Sequence, residues 1–307
     1  MKYGIIGTGA IGGFYGGKLA HAGMDVHFLL HKDYEYVCEH GLQVDSCDGS
    51  FHLDHVNAYR QTADMPVCDV VLVCLKSVNN HLLSELLPPL LGSHTVVVMI
   101  ENGIGIEDDV QQMFPEVQLL AGLAFICSAK TKPGLVNHQC YGSINLANYS
   151  CRDADRMQQL VADFVAAGIN TRQVEYHEAR WKKAVWNMPF NGMTVALNTS
   201  TDQLLKNSFT RKLIHDLMME VIGAARHLGV QNIDASFAEK MLVTTDAMVP
   251  YSPSMKLDYD YHRPLEIEYL YSRPIAEARK AGYSMPKLEM LEAELIFLAS
   301  KNKRQGA

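Results

Sequence analysis

The 307-residue chain has no C-x-x-C pair, no H-E-x-x-H run and no apolar stretch approaching the roughly 18 residues of a membrane span. Its seven cysteines, Cys38, Cys47, Cys68, Cys74, Cys127, Cys140 and Cys151, are scattered, which fits reduced thiols used in packing. The histidine pairs His27/His31 and His52/His55 join no acidic metal-ligand pattern, so no metal is expected. Basic runs are missing apart from Lys301, Lys303 and Arg304 near the end, and the formal charge is −7, which leaves no electrostatic footprint for nucleic acid. There is no repeat and no low-complexity segment. A signal peptide is not expected, because an apolar strand already occupies the first residues, and the protein is expected to be cytoplasmic.

What is present is a chain with 48% hydrophobic residues, long enough for two domains. It opens with MKYGIIGTGAIGG. Tyr3–Ile6 reads as a buried strand, Gly7, Gly9 and Gly12 supply G-x-G-x-x-G spacing, and Phe14 to Ala22 reads as a helix stopped by Gly23. In this strand–turn–helix context Gly7 permits the tight turn, Gly9 lets a pyrophosphate approach the backbone, and Gly12 lets helix and strand pack closely. The amides of Thr8, Gly9, Ala10, Ile11 and Gly12 then face an anion at a helix start. The plainer alternative is a structural glycine turn. A second strand, Asp25 to Leu30, is followed by His31 and Lys32, where an NAD enzyme usually carries an acid for the ribose 2′-hydroxyl. Two basic side chains there favour the 2′-phosphate of NADP(H), against a plain basic surface turn.

Further β-branched runs at Cys68–Leu75 and Thr95–Ile100 resemble doubly buried parallel strands, with Asn79–Leu91 between them as a crossover helix. Later strands are expected at Gln118–Cys127, Leu135–Gln139 and Ser143–Ala147, and a helix over Arg152–Ala167. From about Tyr176 the pattern becomes long and helical, including a helix from Asn207 or Ser208 to Leu228 and another starting at Pro286. The expected fold is α/β: an N-terminal Rossmann doubly wound parallel sheet over residues 1–170, then an all-helical C-terminal domain over 171–307, with substrate in the cleft between them.

Polar residues end two of the strands. Lys76 could meet cofactor phosphate or substrate carboxylate, and Asn102, in Glu101-Asn102-Gly103, could meet the nicotinamide ribose or the reacting oxygen; solvated strand ends are the alternative. Lys183, Asn187 and Asn191 recur every four residues and share one helix face, where a solvated face would more usually carry Glu, Lys or Gln. Pro189 should kink or break that helix. A third group comprises Ser254, which can hold a carboxylate, and Glu266, expected one turn into a helix starting near Pro264. An acidic helix start favoured by the macrodipole is the alternative there.

The order GTGAIG, Lys76, Asn102-Gly103, Lys183-x3-Asn187-x3-Asn191 and Ser254-Met255-x2-Asp258-x7-Glu266-Ile267 resembles the ketopantoate reductases over nearly the whole chain. The resemblance implies NADPH-dependent reduction of 2-dehydropantoate to (R)-pantoate, a step toward pantothenate and coenzyme A. It implies Gly7 to Gly12, Lys76, Asn102 and Glu266 as NADP(H)-binding residues, joining the His31 and Lys32 already read as a 2′-phosphate site, and Asn187, Asn191 and Ser254 as substrate-binding residues. Lys183 would be the general acid, with Glu266 beside it. A homodimer is expected by analogy. Two positions depart from the family pattern: His31 stands where Arg is frequent, and Thr201 where another substrate-facing Asn is found. The alternatives are a reductase of another branched 2-oxo acid and a non-catalytic NADPH-binding sensor.

Overall fold

The computed structural model describes residues 1–248 and 250–305; the side chains of Lys303 and Arg304, noted above for their charge, lie outside the described residues. The described chain forms two compact units, one comprising Met1–Glu101 and Ile106–Tyr176, the other Asn102–Gly105 and the residues from His177 onward.

The first unit is built on a ten-stranded sheet. Its strands are β1 (Lys2–Ile6), β2 (Asp25–Leu29), β3 (Leu42–Ser46), β4 (Phe51–Leu53), β5 (Asn57–Tyr59), β6 (Val70–Val73), β7 (Val96–Met99), β8 (Gln118–Lys132), β9 (Leu135–Asn148) and β10 (Thr171–Val174). They lie in the order β4-β3-β9-β8-β7-β6-β1-β2-β5, with β10 on β9. The centre, β8-β7-β6-β1-β2, is parallel, and every residue of β6 and β7 is buried, as strands covered on both faces require. The architecture is the expected α/β fold with one modification, since β8/β9 and β3/β4 pair antiparallel and make the sheet mixed.

Three segments differ from what their sequence leads one to expect. The crossover between β6 and β7 is not one helix: Pro88 and Pro89 bring no amide hydrogens, and the segment divides into a 3-10 turn at Ser77–Leu82, a short helix at Leu83–Leu86 and a second 3-10 turn at Pro88–Leu90. The two strands expected on either side of residue 141 are one strand, β9, because Tyr141 and Gly142 adopt positive φ in a bulge against β8 without ending the ladder. β10 pairs in parallel with β9, from Thr171 opposite Ile144 to Val174 opposite Ala147, so residues 171–174 extend the sheet of the first unit.

Among the described residues the second unit contains helices and connecting loops and no strand. The helix Tyr176–Ala196 runs without interruption through Pro189, so the expected break does not occur. Ser208–His227 is capped by the Asn207 side chain, which accepts from the amides of Phe209 and Thr210. Each unit has its own apolar core. One gathers Tyr3, Phe14, Phe28, Val98 and Leu146 around the sheet, and the other gathers Trp181, Met188, Val221, Met255, Tyr271 and Leu288 between helices. No helix among the described residues is long and apolar enough to cross a membrane.

Candidate functional site

In the first unit the glycine turn has the local geometry of a phosphate cradle. Gly7 has φ +92°, and a Cβ there would lie 2.7 Å from the Cys74 carbonyl carbon, so no other residue fits the turn. A Cβ on Gly12 would collide with the Gly7 carbonyl oxygen. Around Gly9, by contrast, nothing lies within 4 Å of an added Cβ, which leaves open space beside the backbone that caps the helix Ala10–His21. The tight turn, open middle position and close helix–strand approach together fit a dinucleotide pyrophosphate. The Thr8 hydroxyl donates to the Leu29 carbonyl at 2.8 Å, fixing the turn to the end of β2.

His31 and Lys32 follow directly and are both exposed, while Asp33 is buried. Lys76 lies three residues beyond β6, half-buried, at the start of the Ser77–Leu82 turn. Since β6, β1 and β2 are neighbours in the sheet, the glycine turn, His31, Lys32 and Lys76 all follow carboxyl ends of adjacent strands. One residue missed in the sequence joins them. Lys130, near the end of β8, donates to the Thr8 carbonyl at 2.8 Å and forms an ion pair with Asp33. A separation of 122 positions leaves no local signal for that contact.

The second unit carries the other half of the expected site. The Asn102–Gly105 loop belongs to it because the loop docks on Tyr269: the Ile104 amide donates to the Tyr269 carbonyl at 2.9 Å. Gly103 (φ +126°) approaches so closely that a Cβ would stand 2.5 Å from Tyr269 Cβ. Asn102 is therefore held at the edge of the same structure as Lys183. Gly103, Ile104, Arg180, Lys183, Asn187 and Tyr269 line one narrow pocket.

Lys183 is half-buried on the helix Tyr176–Ala196. Burial lowers its ammonium from the usual lysine range to about 7; the neighbouring Arg180 charge acts in the same direction, and the Glu266 carboxylate opposes both. Arg180, only 3% exposed, stands one turn before Lys183 on the same helix and was missed by the sequence reading. Its signal was available: positions 180, 183, 187 and 191 are helix-spaced. Glu266, 2% exposed, is not inside a helix as expected. The helical backbone begins at Ile267 and passes through a π-turn at Glu268–Ser272 into Arg273–Lys280, so Pro264 lies outside it. The π-turn is a single wide turn of the kind that often re-aims groups at functional sites.

Asn187 is buried at the pocket, and its carbonyl accepts from the Asn191 side-chain amide at 2.9 Å. Asn191, 2% exposed, also accepts the Met255 amide at 3.1 Å through Oδ1. It thereby ties the Lys183 helix to the first turn of Ser254–Asp260, where Ser254 is half-buried. Asp258 in that helix is engaged with Arg263, whose Nε lies 3.1 Å from Oδ1. Thr201 is buried, and its hydroxyl and amide both reach the Tyr251 carbonyl at 3.1 Å, so it anchors the segment leading to Ser254. A wider groove elsewhere on this unit contains none of the expected residues, and its Glu220 is occupied in accepting the Lys287 and Leu288 amides of the last helix.

These observations can be set beside known proteins. Residues 3–150 match the family model "Ketopantoate reductase PanE/ApbA", and residues 175–298 match that of its C-terminal part. The chain is 46% identical to a 2-dehydropantoate 2-reductase of Nostoc sp., over 98% of this chain and 96% of the relative. The crystal structure of 2-dehydropantoate 2-reductase from Geobacter metallireducens superposes with a TM-score of 0.93 at 38% identity, covering 98% and 99% of the two chains. D-mandelate dehydrogenase, solved with NADH and anilino(oxo)acetate, shares the fold at a TM-score of 0.89 and 22% identity over 98% and 99% of the chains. With both halves matched and the identity sustained from end to end, the chain belongs to the ketopantoate reductases, a family of NAD(P)-dependent oxidoreductases.

Proposed function

We propose that this protein reduces 2-dehydropantoate to (R)-pantoate with NADPH, the step that leads toward pantothenate and coenzyme A. The observation that carries the reading is Lys183: a lysine brought to about 7 by burial and by Arg180, in one pocket with Asn187. NADPH, when bound, supplies hydride to the C2 carbonyl carbon. Lys183 hydrogen-bonds the carbonyl oxygen and donates a proton as alkoxide character develops, so its charge acts where the transition state needs it. An acid titrating near neutral pH is matched to that transfer and is reloaded from solvent between turnovers.

The remaining residues bind and orient. The Gly7–Gly12 turn, with Thr8, Ala10 and Ile11, receives the pyrophosphate, and Lys76 and Asn102 hold the cofactor further along. His31 and Lys32 receive the 2′-phosphate; their exposure and the absence of an acid between Leu29 and Lys32 support NADPH over NADH. Glu266 contacts cofactor and Lys183 and favours the protonated amine, in line with its upward pull on the lysine. Asn187 and Ser254 hold the substrate. Asn191 keeps one amide hydrogen for it while positioning the Ser254 turn. Fixing the carbonyl at reacting distance is itself a large part of the rate.

The reading is tested by incubating the enzyme with NADPH and 2-dehydropantoate and resolving the product on a chiral column. (R)-pantoate in amounts equal to NADPH consumed supports it; racemic product, or consumption without pantoate, refutes it.

A further inference from the structure

The first unit carries a group of metal-ligating side chains that the site described above does not use. Cys47, Asp48 and His138 each offer one ligand atom, and these atoms all lie within 4.8 Å of one another. Cys47 Sγ stands 3.8 Å from His138 Nδ1 and 3.7 Å from Asp48 Oδ1. A tetrahedral zinc ion with bonds of about 2.3 Å to sulfur and about 2.0–2.1 Å to nitrogen or oxygen holds such ligand atoms roughly 3.6 Å apart. The trio already approaches that spacing. We propose that Cys47, Asp48 and His138 form a binding site for a zinc-class divalent cation, with solvent as the fourth ligand.

The backbone presets the arrangement. β3 and β9 pair in parallel with Ser46 opposite His138, and the Cys47 amide donates to the His138 carbonyl at 3.1 Å. A tight turn then brings Asp48 back: its amide donates to Ser46 Oγ at 3.1 Å, and Gly49, at φ +115°, donates to the Ser46 carbonyl at 3.1 Å. Two ligands thus sit on a hydrogen-bonded turn directly after β3, and the third sits on the neighbouring strand β9.

The histidine is held in the tautomer that a metal needs. Nε2 faces the Cys140 carbonyl at 3.2 Å, which can only accept, so Nε2 carries the hydrogen. Nδ1 therefore presents its lone pair, at present receiving the Ser46 hydroxyl at 2.8 Å. A ligating histidine whose other ring N–H is spent on a backbone carbonyl is the usual outer-shell pattern of protein metal sites.

Cys47 and Asp48 are exposed, so an ion enters from solvent. On binding, the Cys47 S–H bond breaks, its proton passes to buffer, and a metal–thiolate bond forms; the Ser46 hydroxyl rotates away from Nδ1. One thiolate, one imidazole and one carboxylate suit zinc, whereas magnesium and calcium take oxygen ligands alone.

The test uses the full-length protein, freed of metal and kept reduced, titrated with Co²⁺ as a spectroscopic stand-in for Zn²⁺. The expected result is a thiolate-to-cobalt charge-transfer band and intense tetrahedral d–d bands, saturating at a single site and abolished by added Zn²⁺. Cys47→Ser removes the charge-transfer band, and Asp48→Asn weakens binding by at least about tenfold, a lost ligand costing no less than an outer-shell partner. Cys38→Ser, which alters another exposed thiol, leaves the titration unchanged. Thermal melts check that each variant is folded. Absence of the band in the wild-type chain, its survival in Cys47→Ser, or its loss in Cys38→Ser would overturn the proposal. None of these readouts depends on reductase activity.

Discussion

Asn191 Oδ1 accepts the Met255 amide at 3.1 Å, joining the helix that carries Lys183 to the turn that carries Ser254. Both residues are buried, so the bond has no competition from water. Asn191→Leu leaves the Met255 amide unsatisfied, and such a loss costs about 1–3 kcal/mol. We expect a lower Tm together with a raised KM for the oxo acid, because the Ser254 turn is no longer registered against the pocket. Denaturant unfolding and steady-state kinetics on the same preparation check both.

Lys183→Ala is expected to reduce kcat by roughly 10²–10⁴, the range in which a positioned general acid contributes. NADPH affinity, read by quenching of protein fluorescence, should change little. An equal loss of NADPH binding would make Lys183 a cofactor-binding or structural residue instead.

The pH dependence has a definite sign. A general acid must be protonated, so kcat falls as pH rises through about 7, where the buried amine titrates. Stability moves the opposite way. The folded-state pKa lies below the unfolded one, the unfolded chain binds more protons between the two values, and this group's contribution to stability therefore rises with pH from about 7 up to the ordinary lysine range. Matched pH profiles of kcat and of the unfolding midpoint separate the two trends.

Arg180 and Glu266 pull Lys183 in opposite directions, Arg180 downward and Glu266 upward. Arg180→Met should move the alkaline limb of the kcat profile to higher pH, and Glu266→Gln should move it lower. Identical shifts in both variants would contradict the electrostatic origin of the tuning.

Lys130→Met removes the cation that binds the Thr8 carbonyl and pairs with Asp33. The glycine turn then loses one of its supports, and NADPH affinity is expected to fall by roughly ten- to a hundredfold, in line with a charge-assisted hydrogen bond worth about 1.5–3 kcal/mol. Lys32→Ala should instead weaken NADPH while leaving NADH unchanged, since the two cofactors differ only at the 2′-phosphate. Titration with both cofactors distinguishes a general support from a selectivity residue.

Legibility in the sequence followed the range of the interactions. The glycine turn was readable because its constraints are local: Gly7 needs positive φ, Gly12 must clear the Gly7 carbonyl, and both follow from a few consecutive residues. Lys183, Asn187 and Asn191 were readable as one face because helix geometry alone aligns them. The same geometry would have reached Arg180, had the stripe been extended one turn upstream. Pro264 looks like a helix start and would put Glu266 inside a helix, whereas the helix begins only at Ile267 and passes at once into a π-turn. The expected crossover helix failed at Pro88-Pro89, where propensity along the preceding residues could not supply the missing amides. Lys130 beside Thr8 and His138 beside Cys47 depend on sheet order and register, which no single stretch of sequence states.

The most direct test of the account is the comparison of kcat/KM for 2-dehydropantoate with that for a panel of other branched and aromatic 2-oxo acids, with NADPH and again with NADH. 2-Dehydropantoate with NADPH is expected to be turned over most efficiently. Tight NADPH binding without turnover of 2-dehydropantoate, or faster reduction of another 2-oxo acid, would contradict it.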